Sequence, residues 1–273
     1  MTRPPRSLGY QTDLALLRLE GAQVEEADGY SVVRTPGNPT FWWGNFLLLD
    51  ALPQPGSLET WLTRFREAHL HADHVTFGVD TTDGVLDDRA ASEFVAAGFT
   101  TFRNTVLTAS QTALHRPLPP GVTLRPLDSE ADWEAALDLR LAVNAADSQA
   151  HEEVGYRVFA ARKLAALRSA GEAGHGAYFG AFEDGRMLAG LGVYDAGRGV
   201  ARYQNVETHP EARSRGLAGN LVHRAGEWAW DHLGARTLVI VADPEYHAQR
   251  LYERVGFRPA QVQLGLERSP AQR

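Results

Sequence analysis

No cysteine occurs in the chain, and that absence removes several kinds of protein at once. There is no disulfide framework, no thiolate nucleophile and no cysteine-based metal centre. Positive charge is also scarce. Lysine and arginine total 27 against 34 aspartates and glutamates, for a formal net charge of −7. A general nucleic-acid binder needs a basic surface, so no nucleic acid is expected as a partner. No apolar run approaches the roughly 20 residues of a membrane-spanning helix, which argues against a membrane partner. The opening MTRPPRSLGY lacks the apolar core of a signal peptide. Together these absences predict a cytoplasmic protein. Metal is not expected either. His69-Leu-His-Ala-Asp-His74 straddles a predicted helix end and strand start, so its imidazoles need not converge. His151-Glu-Glu-Val-Gly155 is not the HExxH zinc pattern, and no Gly-x-Ser-x-Gly hydrolase elbow occurs.

What is present is ordinary globular composition. The 273 residues are 44% hydrophobic and 22% charged, enough for one large or two medium domains. His115-Arg-Pro-Leu-Pro-Pro-Gly121 holds three prolines and a glycine and reads as a linker. It divides the chain into domains at 1–117 and 118–273.

In the second domain, Val122–Arg125 reads as a strand, and Glu130–Val143 and Tyr156–Leu167 as helices by their apolar spacing. Tyr178–Phe182 and Met187–Tyr194 flank Asp184-Gly185, a hairpin signal. Val200–Glu207 is a further strand. The stretch RSRGLAGN, Arg213–Asn220, comes next. Leu217, Leu221, Ala225 and Trp228 then mark one helical face, with Gly234 as its stop. Thr237–Val241 is a buried strand by its β-branched content. A short helix over Tyr246–Arg254 and a last strand over Gln261–Leu266 complete the domain.

The first domain repeats part of this plan. Phe41–Leu49 reads as strand, Leu58–Leu70 as helix, His74–Val79 as strand, Arg89–Ala97 as helix and Phe102–Thr108 as strand. Gly98-Phe99 echoes Gly256-Phe257. The same element order twice implies duplication. The copies differ where the second has RSRGLAGN and the first has Asp50-Ala-Leu-Pro-Gln-Pro-Gly-Ser57.

RSRGLAGN has the makings of an anion cradle. A helix start leaves backbone N–H groups unpaired and carries roughly half a positive charge. Gly216 and Gly219 would let a ligand approach the backbone, with Arg213 and Arg215 alongside. Asn220 stands where the Walker pattern needs a lysine, and the glycine spacing fails the dinucleotide pattern GxGxxG.

Arg213, Gly216 and Ala218 fit Gln/Arg-x-x-Gly-x-Gly/Ala, and here the chain resembles the acyl-CoA-binding acetyltransferases of the GNAT superfamily. Asn205-Val-Glu-Thr-His-Pro210 looks like the strand before that motif. Leu251-Tyr-Glu-Arg-Val-Gly-Phe257 looks like the helix-to-strand segment near the family's end. The resemblance covers roughly Val122 to Glu267. It implies an α+β fold of two tandem domains, each a mixed, mostly antiparallel sheet flanked by helices. The first would be a degenerate copy without the phosphate loop.

The resemblance also implies function: an N-acetyltransferase moving acetyl from acetyl-CoA, a cosubstrate, to a primary amine on a small molecule or peptide. A CoA-binding sensor or interaction protein without catalysis is the alternative. Carried over residue by residue, the coenzyme diphosphate would meet Arg213, Ser214, Arg215, Gly216, Leu217, Ala218, Gly219 and Asn220, and the pantetheine amides Val206 and Thr208. Tyr252 would protonate the leaving thiolate, as a phenol pKa of about 10 is close to a thiol's. Glu207 is the candidate base, with His209, Asp195 and Tyr203 weaker. Strict alternation puts Val206 and Glu207 on opposite faces, so only one would face a pocket. Glu245 stands where relatives often carry asparagine. A monomer and a homodimer are both compatible with these features.

Overall fold

The computed structural model describes residues 4–114, 116–148, 150–244 and 248–270. The chain gathers into two compact units, one drawn from Met1–Val106, Val241–Glu245 and Ala260–Arg273, the other from Leu107–Ile240 and Tyr246–Pro259. Among the described residues, no helix is long and apolar enough to cross a membrane.

The first unit contains α1 (Leu8–Leu19), β1 (Gln23–Ala27), β2 (Tyr30–Arg34), β3 (Phe46–Leu49), α2 (Leu58–Ala68), β4 (Val75–Val79) and α3 (Asp88–Ala96). β5 (Thr100–Ala109) follows and carries the chain into the second unit. β3 is an unbroken apolar run, Phe-Leu-Leu-Leu, because it is buried on both faces. Phe46 and Leu48 pack with Tyr10, Leu14 and Leu17 of α1. Leu47 and Leu49 join Leu62, Phe65, Phe77 and Phe94 on the other side. β3 runs antiparallel to β2 and parallel to β4.

β11 (Arg258–Arg268) lies beside β4, antiparallel, with Leu264 opposite Val79 and Leu266 opposite Phe77. The division of the sequence at the proline-rich stretch assigns this strand to the second domain. Its pairing seats it in the first unit, where Leu264 and Leu266 are fully buried. Tyr10 of α1 donates its hydroxyl to the Leu264 carbonyl at 2.5 Å, and Trp43 Nε1 donates to Glu267 at 2.9 Å.

Two further differences from the sequence reading occur here. Phe41-Trp-Trp43 does not extend β3; Trp42–Gly44 is a turn of 3-10 helix. Asn45 holds that turn by donating to the carbonyls of Phe41 at 2.8 Å and Asn38 at 3.2 Å. A Cβ at Gly44 would lie 2.5 Å from the Phe41 ring, so the close approach needs glycine. α1, β1 and β2 had no counterpart in the reading, although Asp28-Gly29 closes the β1–β2 hairpin between Ala27 and Tyr30.

His69 and His74, near the end of α2, pack within the first unit. His74 Nε2 shares a hydrogen bond with the Asn45 carbonyl at 2.9 Å, and its ring stacks on Trp42. His69 packs against Phe65, and burial pulls its pKa down to about 4. An imidazole held neutral in the fold binds fewer protons than the unfolded one, whose pKa is about 6.5. Its stabilising balance is complete above pH 6.5 and is lost as pH falls toward 4. Thermal denaturation of the first unit will therefore show a melting temperature that declines over this window. His69→Gln will make that decline shallower, and an unchanged slope would refute the assignment.

The second unit holds β6 (Thr123–Pro126), α4 (Glu130–Ala145), α5 (Glu153–Glu172), β7 (Gly176–Glu183), β8 (Arg186–Asp195), β9 (Val200–Thr208), α6 (Leu217–Leu233), β10 (Thr237–Ala242) and α7 (Ala248–Val255). Strands β6 to β9 form an antiparallel run, and β10 joins β9 in parallel. Ser129 and Asp132 close a reciprocal capping box at the start of α4. One sheet face meets α4 and α5, where the Tyr194 hydroxyl donates to the Leu167 carbonyl. The other meets α6, where Phe179 packs edge-on to Trp228 and the Tyr203 hydroxyl donates to the Val222 carbonyl.

Candidate functional site

The start of α6 is built to leave donors open. The chain leaves β9 through a 3-10 turn, Pro210–Ala212, and then takes left-handed backbone at Ser214 (φ 65°) and Gly216 (φ 82°). Gly216 is the cap residue and offers no side chain to the helix. Asn220 is the first residue of the helix whose N–H returns to a carbonyl, that of Gly216 at 3.2 Å. Among the described residues, the N–H groups of Leu217, Ala218 and Gly219 meet no acceptor. Their dipoles and the helix field add to a local positive potential.

The first unit handles the corresponding place differently. At the entry to α2, Glu93 of α3 accepts from Gly56 N–H at 2.7 Å and from Leu58 N–H at 3.4 Å. A protein carboxylate occupies the start of that helix, where α6 leaves its donors unmet.

A cavity of about 550 Å³ opens before the α6 amides. Val206, Glu207 and Thr208 of β9 line it, as do Arg213, Ser214, Gly216, Leu217, Ala218, Gly219 and Asn220. Leu251, Tyr252 and Val255 of α7 form another wall. Arg116, Arg213, Arg250 and Arg254 bring four exposed guanidinium groups to it. Glu207 is the only carboxylate among its described lining residues. On a chain of net charge −7 this local excess of cations favours an anionic ligand.

Two predicted contacts take other roles. Arg215 does not line the cavity; both of its terminal nitrogens are held by the Glu183 carboxylate across the loop. That pairing withdraws its charge and anchors the loop to β7. The Asn220 side chain donates to the carbonyls of Gly216 at 3.0 Å and Arg116 at 3.3 Å, so it braces the cradle. The cavity also has a wall absent from the sequence reading. Ala113, Leu114 and Arg116 lie along it, and Ala113 N–H donates to the Val255 carbonyl at 2.9 Å. Arg116 precedes the prolines and falls within the stretch that composition marks as a linker. Its charge was the available signal.

Alternation fails in β9 for a structural reason. Gln204 pairs with Gly192, but Glu207 pairs with Gly190, so β9 carries one extra residue there. Asn205 takes left-handed backbone at φ 53° to absorb it. Tyr203 faces α6, and unbroken alternation would turn Glu207 the same way. The bulge sends Glu207 to the α4 face, and Val206, Glu207 and Thr208 all reach the cavity. β10 pairs with β9 only from Val200 to Arg202, which leaves the later part of β9 without that neighbour.

Glu207 is buried, with its side chain 14% exposed. One oxygen, Oε1, lies 3.4 Å from Nη1 of Arg140, itself only 6% exposed. Burial raises the Glu207 pKa, and Arg140 opposes the rise. Sequence reasoning had passed over Arg140, which sits on α4 and is 67 positions from its partner. Tyr252 is buried on α7 with its ring edge-on to Phe257. His209 caps the 3-10 turn, Tyr203 bonds to α6 and Asp195 accepts from Gly197 N–H; none of these three lines the cavity. Glu245 and the first residues of the helix expected from Tyr246 lie outside the described residues.

Comparison with known proteins bears on this arrangement. The family model for the GNAT acetyltransferases matches residues 140–257. A functionally unknown conserved protein from Staphylococcus epidermidis ATCC 12228 is similar in fold, with a TM-score of 0.72 at 12% identity, over 90% of this chain and 92% of that one. A GCN5-related N-acetyltransferase from Kribbella flavida gives 0.66 at 18% identity, over 97% and 98%. A tandem GNAT protein from the clavulanic acid biosynthesis pathway gives 0.51 at 14% identity, over 98% of each chain. A search of curated proteins finds no match.

Proposed function

We propose that the second unit transfers an acetyl group from acetyl-CoA to a primary amine. One observation carries this reading: three unpartnered amides, at Leu217, Ala218 and Gly219, open on a cavity ringed by four arginines. Several N–H donors together suit a diphosphate, and guanidinium groups add charge-assisted bonds. Acetyl-CoA fits this chemistry, and when bound it supplies a thioester carbonyl open to attack and a thiol leaving group. The loop from Arg213 to Asn220 holds its diphosphate, with Arg116, Arg250 and Arg254 alongside. Val206 and Thr208 offer strand edge to the pantetheine amides. Glu207 removes a proton from the acceptor's ammonium, and Tyr252 supplies one to the leaving sulfur. The acceptor is a small-molecule or peptide amine, and the first unit would not bind the coenzyme in the same way, since Glu93 meets the amides at the start of α2.

Two measurements test this. Acetyl-CoA at saturating concentration will raise the melting temperature of the purified protein, because a ligand that binds only the folded state stabilises it. A broad panel of primary amines will then reveal turnover. Stabilisation without acetylation of any amine would reduce the reading to coenzyme binding alone. Tyr252→Phe will lower kcat about 100-fold or more while preserving the acetyl-CoA melting shift, on the scale of general acid catalysis. An unaltered kcat would remove Tyr252 from the reaction.

A further inference from the structure

We propose that Arg140 is a positioning residue that fixes Glu207 by one carboxylate oxygen, leaving the other to receive the acceptor's ammonium. The inference rests on the acetyl-transfer reading and assigns a role to a residue outside the family's loop and strand motifs.

The geometry is specific. Oε1 of Glu207 faces Nη1 of Arg140 at 3.4 Å, whereas Oε2 is buried with no hydrogen-bond partner. Glu207 lines the cavity, so the unpartnered oxygen belongs to a side chain that reaches it. Nε and Nη1 of Arg140 also lack hydrogen bonds, and Nη2 makes only a long one, 3.4 Å, to the Tyr156 hydroxyl. The Tyr178 hydroxyl, which feels both charges, is buried as well and makes no well-formed hydrogen bond. Groups left unsatisfied in this way are costly in a folded protein unless a ligand or water completes them. Here they cluster on one carboxylate at the end of a β-bulge. A buried carboxylate oxygen is the natural counterpart of a primary ammonium. Its preferred acceptor is therefore a cation, not a neutral amide or alcohol.

The proton transfer is simple. An N–H bond of the ammonium breaks, its electron pair stays on nitrogen, and an O–H bond forms at Oε2. The proton passes to bulk water after the product leaves. Arg140 makes this repeatable by keeping the carboxylate ionised and fixed between turnovers. The groups facing Glu207 are Arg140 from α4, Tyr178 from β7 and, through them, Tyr156 from α5. Its partner on β8, Gly190, has no titratable group, while Tyr252, Arg250 and Arg254 of α7 share the cavity. Desolvation pushes Glu207 upward and Arg140 pulls it down, so loss of Arg140 leaves the upward push alone.

The test is a carboxyl titration by NMR on protein labelled with 13C at glutamate side chains, with Glu207→Gln identifying the signal. In Arg140→Met the Glu207 midpoint will rise by about one pH unit or more, the scale of a close opposite charge. Arg140→Lys will keep it near the wild-type value. Arg140→Gln serves if the methionine variant does not fold. In the same variants the acid limb of kcat/KM will move with the carboxyl midpoint, so activity recovers at higher pH. An unmoved midpoint in a folded Arg140→Met or Arg140→Gln protein overturns the proposal, as does a rate limb that stays in place while the midpoint moves. The carboxyl titration needs no substrate, so its failure is distinct from failure of the acetyl-transfer reading, which wild-type turnover decides.

Discussion

Gly216→Val will abolish the thermal stabilisation by acetyl-CoA and reduce acetyl transfer at least about 100-fold. Gly216 caps α6 in left-handed backbone, φ 82°, a region that costs a side-chain-bearing residue roughly 1–2 kcal/mol. A β-branched residue suffers most there, and relief requires the loop to rotate. Rotation would swing the N–H groups of Leu217 and Ala218 off their common aim. The new side chain would also project toward Arg116, whose Cβ lies 3.7 Å from an ideal Cβ at 216. Both effects act on the anion cradle. Ligand at 100 times its dissociation constant should stabilise the wild type by about 2.7 kcal/mol, so complete loss is easily read. Circular dichroism without ligand will separate a misfolded chain from a folded one that no longer binds. A folded Gly216→Val protein with a wild-type melting shift would refute the cradle.

Paired Leu264→Asp and Leu266→Asp substitutions will unfold the first unit, though they lie almost 200 residues from β4. Both leucines are fully buried against the Phe65, Phe77 and Phe94 cluster. Truncating one such leucine to alanine costs about 2–5 kcal/mol, and burying an unpaired carboxylate costs more. The pair therefore consumes a stability of the usual 5–15 kcal/mol. Hydrogen exchange will show protection lost in α1, β3 and β4, and Trp43 will lose its contact with Glu267. Unaltered protection across residues 46–79 would contradict the seating of β11.

These two results mark what the amino-acid string reveals and what it withholds. The α6 loop was legible because its signal is local: a strand, two glycines, an arginine and an amphipathic helix in immediate succession. Gly256-Phe257 was legible for the same reason. The partner of β11 was not, because apolar alternation tells a strand from a helix but does not name its neighbour. The bulge at Asn205 also left little trace. Asparagine tolerates positive φ, yet most asparagines in strands do not use it. Without the bulge, alternation lets only one of Val206 and Glu207 face the pocket, and nothing local points to Arg140. Arg215 looked like a phosphate ligand because its competitor, Glu183, is 32 positions away in sequence. Local chemistry can be read from spacing; competition between distant charges requires the fold.

The place of β11 has a consequence for biosynthesis. β4 is complete once the ribosome has passed residue 79, but the strand that pairs with it arrives about 190 residues later. At about 5–20 residues per second, that is a delay of roughly 10–40 s. Throughout it the nascent first unit presents an unpaired β4 edge flanked by exposed phenylalanines, a template for wrong pairing. Chaperone engagement, and sensitivity to stalled or prematurely terminated translation, should therefore concentrate on the part of the protein that is made first.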